Sequence, residues 1–150
     1  MSVQPQHTRG SDRLPSLDHA TVGDVMHPGL VTCPPDTDLT TVARLMASDH
    51  IHCVVVTGVT ATTGSEHLTW GLLTDLTLVR ARRAAAFATA GEVALTEIVT
   101  VEPGEPLERA AELMSEHGLT HLVVVSEPDR MPVGMLSTLD VAGTLAWGEA

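Results

Sequence analysis

The stretch of sequence that decides the fold occurs twice in the chain. Residues 31–56 read VTCPPDTDLTTVARLMASDHIHCVVV, and residues 99–125 read VTVEPGEPLERAAELMSEHGLTHLVVV. Both begin with Val-Thr, continue through a proline and a series of spaced apolar residues, and end in valines. A second pair follows, WGLLTDLTLV at 70–79 and VGMLSTLDVA at 133–142. Because self-similarity at a regular spacing marks repeated structural units, the sequence predicts two copies of one unit.

Each copy is predicted to fold as strand, helix, strand, strand, helix. The first helix follows from apolar residues at positions i, i+3, i+4 and i+7, which are Leu39, Val42, Ala43 and Met46 in one copy and Leu107, Ala110, Ala111 and Met114 in the other. The next strand, 53–57 or 121–125, is rich in valine without polar alternation, as expected of a strand covered on both faces. The predicted fold class is α/β (α+β), with two pseudo-symmetric repeats whose sheets pack against each other.

The end of each repeat is predicted to be a strand that leads directly into a helix. These strands cover 70–73 and 133–136, and they are followed by Thr74 and Ser137, hydroxyl residues suited to a helix N-cap. In the first repeat the helix is predicted to continue through RARRAAAFATA and to end near Gly91. The segment before the first of these strands is predicted to be a long polar loop.

The composition limits the kinds of partner that the chain can have. The formal net charge is −11 and the pI is near 4.9, so there is no overall attraction to nucleic acid or to an anionic membrane. The two cysteines, Cys33 and Cys53, are too few for a disulfide framework, and no apolar run approaches the roughly 20 residues of a membrane span. We therefore expect a cytoplasmic protein that binds neither nucleic acid nor membranes. Its basic residues are all arginine, which together with the many Ala, Gly and Val residues suggests a bacterial source.

The predicted domain boundaries follow from the repeats and from the character of the first residues. Residues 1–18 are polar, contain Pro5 and Pro15, and lack an apolar signal core. We expect them to be a flexible N-terminal tail. The first repeat is assigned to 19–91 and the second repeat to 92–150.

The motifs, in this order and present twice, resemble a tandem pair of cystathionine-β-synthase (CBS) domains over roughly residues 20–148. The segment VGDVMHPGLVTCPPDTDL at 22–39 looks like the start of such a domain. The segments GLLTDL at 71–76 and GMLSTLD at 134–140 look like its closing signature. That signature is a glycine, two apolar residues, Ser or Thr, two variable residues and Asp.

The resemblance implies a Bateman module, a regulatory pair that binds an adenosine-containing ligand in the cleft between its repeats. AMP, ADP, ATP and S-adenosylmethionine are the candidate ligands, and no cofactor is required. The sequence offers no nucleophile–base set and no phosphate-gripping glycine loop, so we expect no enzymatic activity. The resemblance also implies a homodimer that regulates a protein partner of unknown identity. The alternative is a dimeric scaffold without a ligand that docks on an enzyme or a transporter, and an exposed arginine cluster at 80–83 fits that alternative too.

The resemblance places the preferred ligand site in the second repeat, at Thr100, Leu119, Thr120, His121, Ser137 and Asp140. Ser137 stands at a predicted helix N-terminus, where free N–H groups and the helix dipole suit a phosphate. Asp140 can accept hydrogen bonds from the two hydroxyls of a ribose. The same Ser-x-x-Asp spacing also fits a capping box, and this second interpretation stays open.

The corresponding site of the first repeat comprises Thr32, Ile51, His52, Cys53 and Thr74. We expect it to be impaired, because Thr77 stands where Asp140 stands in the second repeat. Asp75 is acidic but lies two positions early, about 200° around a helix that turns by about 100° per residue. The two sites are therefore predicted to be unequal.

A metal site is the other interpretation of the HIHC segment in the first repeat. Zinc needs three or four ligands at workable spacing, and His50, His52 and Cys53 are the local candidates. The second repeat has Gly118, Thr120 and His121 at these positions, so the set is not shared between the repeats. We therefore predict no metal ligand.

Overall fold

The computed structural model describes residues 14–149, which form two compact units. We call the unit built from Leu30–Ile98 the central unit. The terminal unit combines the residues up to Gly29 with those from Val99 onward. In chain order the α-helices and β-strands are α1 Val22–Val25, β1 His27–Pro28, β2 Thr32–Cys33, α2 Leu39–Asp49, β3 Cys53–Thr63, β4 Glu66–Thr74, α3 Asp75–Arg80, α4 Ala90–Val93, β5 Thr100–Val101, α5 Leu107–His117, β6 His121–Ser126, β7 Met131–Ser137 and α6 Thr138–Trp147.

The central unit is built on a three-stranded sheet in the order β2-β3-β4. β2 runs parallel to β3, and β3 pairs with β4 in an antiparallel hairpin. Helix α2 packs on one face of this sheet, where the buried residues include Cys33, Leu39, Val42, Met46, Val54, Val56 and Leu73. Because side chains alternate along a strand, Cys53 and Val55 project from the opposite face.

The β3–β4 hairpin is longer than predicted. β3 extends to Thr63 and β4 begins at Glu66, so the predicted polar loop is wrong and most of it is strand. Thr62 pairs with His67 across the hairpin, and the turn contains Gly64 with a positive φ of 59°. Valine and threonine dominate this stretch, and such β-branched residues favour a pleated strand even where apolar alternation is absent.

The long helix predicted to end near Gly91 is also wrong. α3 ends at Arg80, and α4 starts as a separate helix. Thr89 and Glu92 form a capping box at the start of α4, and the N–H of Gly91 donates to the carbonyl oxygen of Pro35 over 2.8 Å. These contacts with the loop before α2 override the helix propensity of the alanine-rich segment.

The terminal unit is built on a four-stranded sheet in the order β1-β7-β6-β5. β5 is parallel to β6, and β7 pairs in antiparallel fashion with both β6 and β1. The core on one face of this sheet is formed by α5 and the strands, with the buried residues Val101, Leu107, Ala110, Met114, Leu122, Val124 and Leu136.

The short helices α1 and α4 make the same contact in the two units. The N–H of Gly23 in α1 donates to the carbonyl oxygen of Pro103 over 2.8 Å, as that of Gly91 does to Pro35. A Cβ on Gly23 would lie 3.1 Å from the carbonyl oxygen of Pro103, and one on Gly91 would lie 3.0 Å from that of Pro35. Glycine therefore allows the close approach of helix and loop. The sequence analysis did not identify the short helix as part of the repeat.

The compact units do not follow the linear division of the sequence. Residues 19–29 belong to the terminal unit, although the repeats assign 19–91 to the first copy. Residues 92–98 belong to the central unit, although the repeats assign 92–150 to the second copy. Each unit thus combines most of one repeat with the opening segment of the other.

The last residues of the predicted tail over 1–18 contact the terminal unit. The N–H of Ser16 donates to the carbonyl oxygen of Glu149 over 2.7 Å, and the N–H of Glu149 donates to the carbonyl oxygen of Leu14 over 2.8 Å. Leu17 packs against the core of the terminal unit. Residues 1–13, the rest of that predicted tail, lie outside the described residues.

The two amphipathic helices are confirmed. α2 buries Leu39, Val42 and Met46, and α5 buries their counterparts Leu107, Ala110 and Met114. α2 is closed by His50 and α5 by Gly118, both in the left-handed conformation that commonly ends a helix. None of the helices within residues 14–149 has the length and hydropathy of a membrane-spanning segment.

Candidate ligand site at the start of α6

The second-repeat candidates of β5, β6 and β7 share one face of the four-stranded sheet. A row of paired residues crosses this sheet from β5 to β1: Thr100, Val123, Met135 and His27. Paired residues project to the same face, so Thr100 and His27 are on one side of the sheet. Residues two positions along β6 and β7 share that side, which adds His121 and Ser137. The core residues Leu122, Val124 and Leu136 project to the other side.

Ser137 and Asp140 form a capping box at the start of α6. The hydroxyl of Ser137 accepts from the backbone N–H of Asp140 over 3.3 Å. In return, Oδ2 of Asp140 accepts from the backbone N–H of Ser137 over 2.7 Å and from its hydroxyl over 3.1 Å. The capping interpretation of this spacing is therefore realised, and it fixes a carboxylate at a helix N-terminus beside the sheet face that carries Thr100.

The second oxygen of Asp140 is bound by His27, a residue to which the sequence analysis gave no role. Nε2 of His27 lies 2.7 Å from Oδ1 of Asp140. The side chain of His27 is 75% exposed, whereas that of Asp140 is only 9% exposed. The approach depends on Gly134, since a Cβ there would lie 2.7 Å from the carbonyl oxygen of His27. His27 and Asp140 are far apart in the sequence, so no local spacing could have paired them.

Thr120 and His121 lie next to the start of α6. The carbonyl oxygen of Thr120 accepts from the backbone N–H of Thr138 over 2.9 Å, and His121 pairs with Ser137 across the β6–β7 ladder. The hydroxyl of Thr120 is 2.9 Å from Nδ1 of His121. Leu119 is different, because its side chain packs against the core of the unit.

The corresponding elements of the central unit lack a carboxylate at the equivalent position. Thr74 caps α3 and accepts from the backbone N–H of Thr77 over 3.1 Å, and the two hydroxyls are 2.9 Å apart. Asp75 instead contacts His52, with 2.8 Å between Oδ2 of Asp75 and Nδ1 of His52. Thr77 thus fills the position of Asp140 with a hydroxyl, which cannot accept as many hydrogen bonds as a carboxylate.

The remaining first-repeat candidates are distributed over both faces of the central sheet. Thr32 pairs with Val55, and Cys53 pairs with Thr74, so Thr32, Cys53 and Thr74 project away from the core with α2. Ile51 packs against that core. The structure therefore brings three of the five candidates to one face.

Cys53 is poorly suited to hold a metal. Its thiol is buried, and burial together with the negative charge of Asp75 raises its pKa to about 12. Metal ligation requires the thiolate, which is disfavoured in such surroundings. His50 closes α2 in the left-handed conformation, and His52 is engaged with Asp75. Among residues 14–149 no group of three or more His, Cys, Asp or Glu side chains is arranged to hold a metal ion.

Comparison with solved structures finds the same fold in other proteins. The CBS domain pair of protein MJ0100, in complex with 5′-methylthioadenosine and S-adenosyl-L-methionine, has a TM-score of 0.68 and 19% identity, over 82% of this chain and 93% of that chain. CBSX2 in complex with AMP has a TM-score of 0.66 and 22% identity, over 82% and 93%. Hypoxic Response Protein I with two coordinated zinc ions has a TM-score of 0.63 and 27% identity, over 82% and 97%. A comparison with curated proteins finds no match.

The family model of the CBS domain matches the sequence twice, over residues 22–84 and 90–146. The two matches begin at the first residues of α1 and α4, the short helices that make equivalent proline contacts. The predicted α/β class and the resemblance drawn from the sequence are both confirmed. The chain belongs to the CBS domain family and is a tandem pair of CBS domains.

Proposed function

We propose that the chain is a regulatory module that binds an adenosine-containing ligand at the start of α6 in the terminal unit. The observation that carries this proposal is the placement of Asp140 and Ser137 at a helix N-terminus beside Thr100 and His121. A helix N-terminus favours an anionic group such as a phosphate. A carboxylate accepts hydrogen bonds from the ribose hydroxyls that AMP, ADP, ATP and S-adenosylmethionine all share.

The solved relatives support the class of ligand. One CBS pair of the same fold contains 5′-methylthioadenosine and S-adenosyl-L-methionine, and another protein of this fold contains AMP. All three compounds carry an adenosine group, which matches the ribose-accepting carboxylate of the terminal unit. We therefore propose adenosine compounds as the ligand class for this chain.

We propose one functional site in each chain. In the central unit Thr77 replaces the carboxylate, and Asp75 is engaged with His52. A ribose at Thr74 and Thr77 would meet hydroxyls that already bond to each other over 2.9 Å. The site with Thr32, Ile51, His52, Cys53 and Thr74 is accordingly proposed to bind weakly or not at all.

We propose that the module acts by binding and not by catalysis. The cluster of Ser137, Asp140 and His27 has the residue types of a hydrolytic triad, but hydrogen bonds connect the three side chains in a different order. The hydroxyl of Ser137 bonds to Asp140, and His27 lies on the far oxygen of that carboxylate. A triad needs the histidine between the serine and the carboxylate, so His27 cannot take the proton of Ser137. Ligand binding would instead shift a conformational equilibrium that an unidentified protein partner in the cytoplasm detects.

The experiment that tests the proposal is the thermal stability of the protein with AMP, ADP, ATP and S-adenosylmethionine. A ligand that binds only the folded state stabilises it by about 2.7 kcal/mol at a concentration of 100 Kd. We expect a saturable rise in melting temperature with at least one ligand, and loss of that rise in Asp140→Asn. Asp75→Asn is the matched control, because it alters a first-turn carboxylate of the central unit, and it should keep the rise. Absence of a rise with all four ligands contradicts the proposal.

A dimeric scaffold is the second candidate function, and the exposed face of α6 favours a homodimer. Leu139 is 80% exposed and Leu145 is 68% exposed. Ala142, which lies between these leucines, and Ala146, which follows Leu145, are exposed too. Leu76 of α3, the counterpart of Leu139, is 53% exposed. An apolar helix face of this kind fits self-association through a symmetric contact. A scaffold without a ligand would dimerise and would show no rise in melting temperature with any nucleotide.

Zinc is not part of the proposal. One solved relative of 27% identity contains two coordinated zinc ions. In the described part of this chain, however, no cluster of potential ligands has the necessary arrangement. The pKa of the Cys53 thiol is raised to about 12, and zinc ligation by this residue is disfavoured because it requires the thiolate.

A further inference from the structure

The acceptor capacity of Asp140 is nearly exhausted by residues of the protein itself. An ionised carboxylate offers about four lone-pair positions. Oδ2 uses two of them for the N–H and the hydroxyl of Ser137. Oδ1 uses a third for Nε2 of His27. One position therefore remains, while a ribose diol brings two hydroxyl donors.

His27 is the partner that can leave. An ionised carboxylate only accepts hydrogen bonds, so Nε2 of His27 carries the proton and donates to Oδ1 of Asp140. The imidazole is 75% exposed, so rotating it away from Asp140 uncovers little buried surface. The backbone of β1 stays in place through its pairing with β7, where His27 lies opposite Met135. Ser137 is fixed by comparison, because its bonds to Asp140 cap α6.

The central unit lacks both members of this pair. Leu95 follows α4 as His27 follows α1, and it bridges to Leu72 as His27 pairs with Met135. Leu95 therefore takes the place of the imidazole, and Thr77 takes the place of the carboxylate. The imidazole and the carboxylate are both present in the terminal unit, and both are absent at the equivalent positions of the central unit. This is expected if the two groups act on the same ligand site.

We propose that His27 competes with the ribose hydroxyls for Asp140 and thereby lowers the preference of the site for ribose over deoxyribose. This inference rests on the proposed function of the site. A ribose diol needs two acceptor positions on Oδ1 and must displace His27 to obtain both. A 2′-deoxyribose brings one hydroxyl, which the remaining position accepts with His27 in place. His27 thus opposes AMP more than it opposes 2′-deoxyAMP.

The test is calorimetric titration of AMP and 2′-deoxyAMP into the wild-type protein and into His27→Leu. This variant carries leucine, as the central unit does at the equivalent position 95. Because the imidazole of this pair is largely exposed to solvent, the pair has a modest strength, and we expect His27→Leu to bind AMP about two- to fivefold more tightly. Affinity for 2′-deoxyAMP should change little. Arg109→Leu is the control, since it removes an exposed ion pair of α5 in the same unit and outside both ligand sites, and it should alter neither affinity.

A second readout follows the imidazole directly. In NMR spectra of the wild-type protein, saturation with AMP should shift the ring signals of His27 toward their positions in ligand-free Asp140→Asn. Unchanged AMP affinity in His27→Leu, or weaker affinity, would overturn the inference while Asp140-dependent binding keeps the proposed function intact. Failure of AMP, ADP, ATP and S-adenosylmethionine to bind the wild-type protein would overturn both.

Discussion

Gly134→Ala tests whether β1 reaches β7 only because residue 134 has no side chain. A Cβ at this position would lie 2.7 Å from the carbonyl oxygen of His27 and 3.2 Å from Sδ of Met26. The first of these atoms is backbone, so β1 must move by several tenths of an ångström. Overpacking of this kind costs about 1–3 kcal/mol. Replacing glycine also reduces the freedom of the unfolded chain, which offsets about 0.4–1 kcal/mol.

The expected net loss is therefore about 1–2 kcal/mol in the free energy of unfolding, or a melting temperature lower by about 2–8 °C. The assay is thermal unfolding followed by circular dichroism. Gly104→Ala is the control, because a Cβ there meets nothing within 4 Å and it should leave the melting temperature unchanged or slightly raised. Equal melting temperatures for the two variants would refute the close approach of β1 to Gly134.

Two further predictions concern self-association and pH. Leu139→Asp places a charge on the exposed apolar face of α6 and should convert the proposed homodimer to a monomer in sedimentation, whereas Asp75→Asn should not. A wild-type protein that is already monomeric at high concentration would contradict this. Burial raises the pKa of the Cys53 thiol from 9.0 to about 12, so the unfolded chain loses this proton first as pH rises. The free energy of unfolding should therefore keep the full contribution of the protonated thiol below about pH 9 and should fall above that pH. In urea unfolding at pH 8 and pH 10.5, Cys53→Val should show a smaller fall than the wild-type protein. An identical fall in the variant would show that Cys53 does not contribute.

The repeated core was predictable from the sequence because it depends on local periodicity. The spacing of Leu39, Val42 and Met46 defines the buried face of α2, and the same spacing recurs in α5. The N-caps Thr74 and Ser137 were predictable for the same reason, since a cap is set by residues three positions apart. The sequence therefore located the start of α6, where the candidate site lies.

The features that the sequence did not reveal depend on contacts between distant residues. The break between α3 and α4 follows from the bond of Gly91 to Pro35, and local propensity alone favours a continuous helix there. The assignment of α1 to the terminal unit follows from its contact with Pro103. The pairing of His27 with Asp140 likewise requires β1 to lie beside β7.

The binding stoichiometry of AMP measures the central claim most directly, namely that one carboxylate creates one adenosine site in each chain. Calorimetric titration should give one site per chain in the wild-type protein and in Asp75→Asn, and no binding in Asp140→Asn. Two sites of equal affinity would contradict the account, because Thr77 would then serve as well as Asp140. Binding that survives Asp140→Asn unchanged would contradict it too.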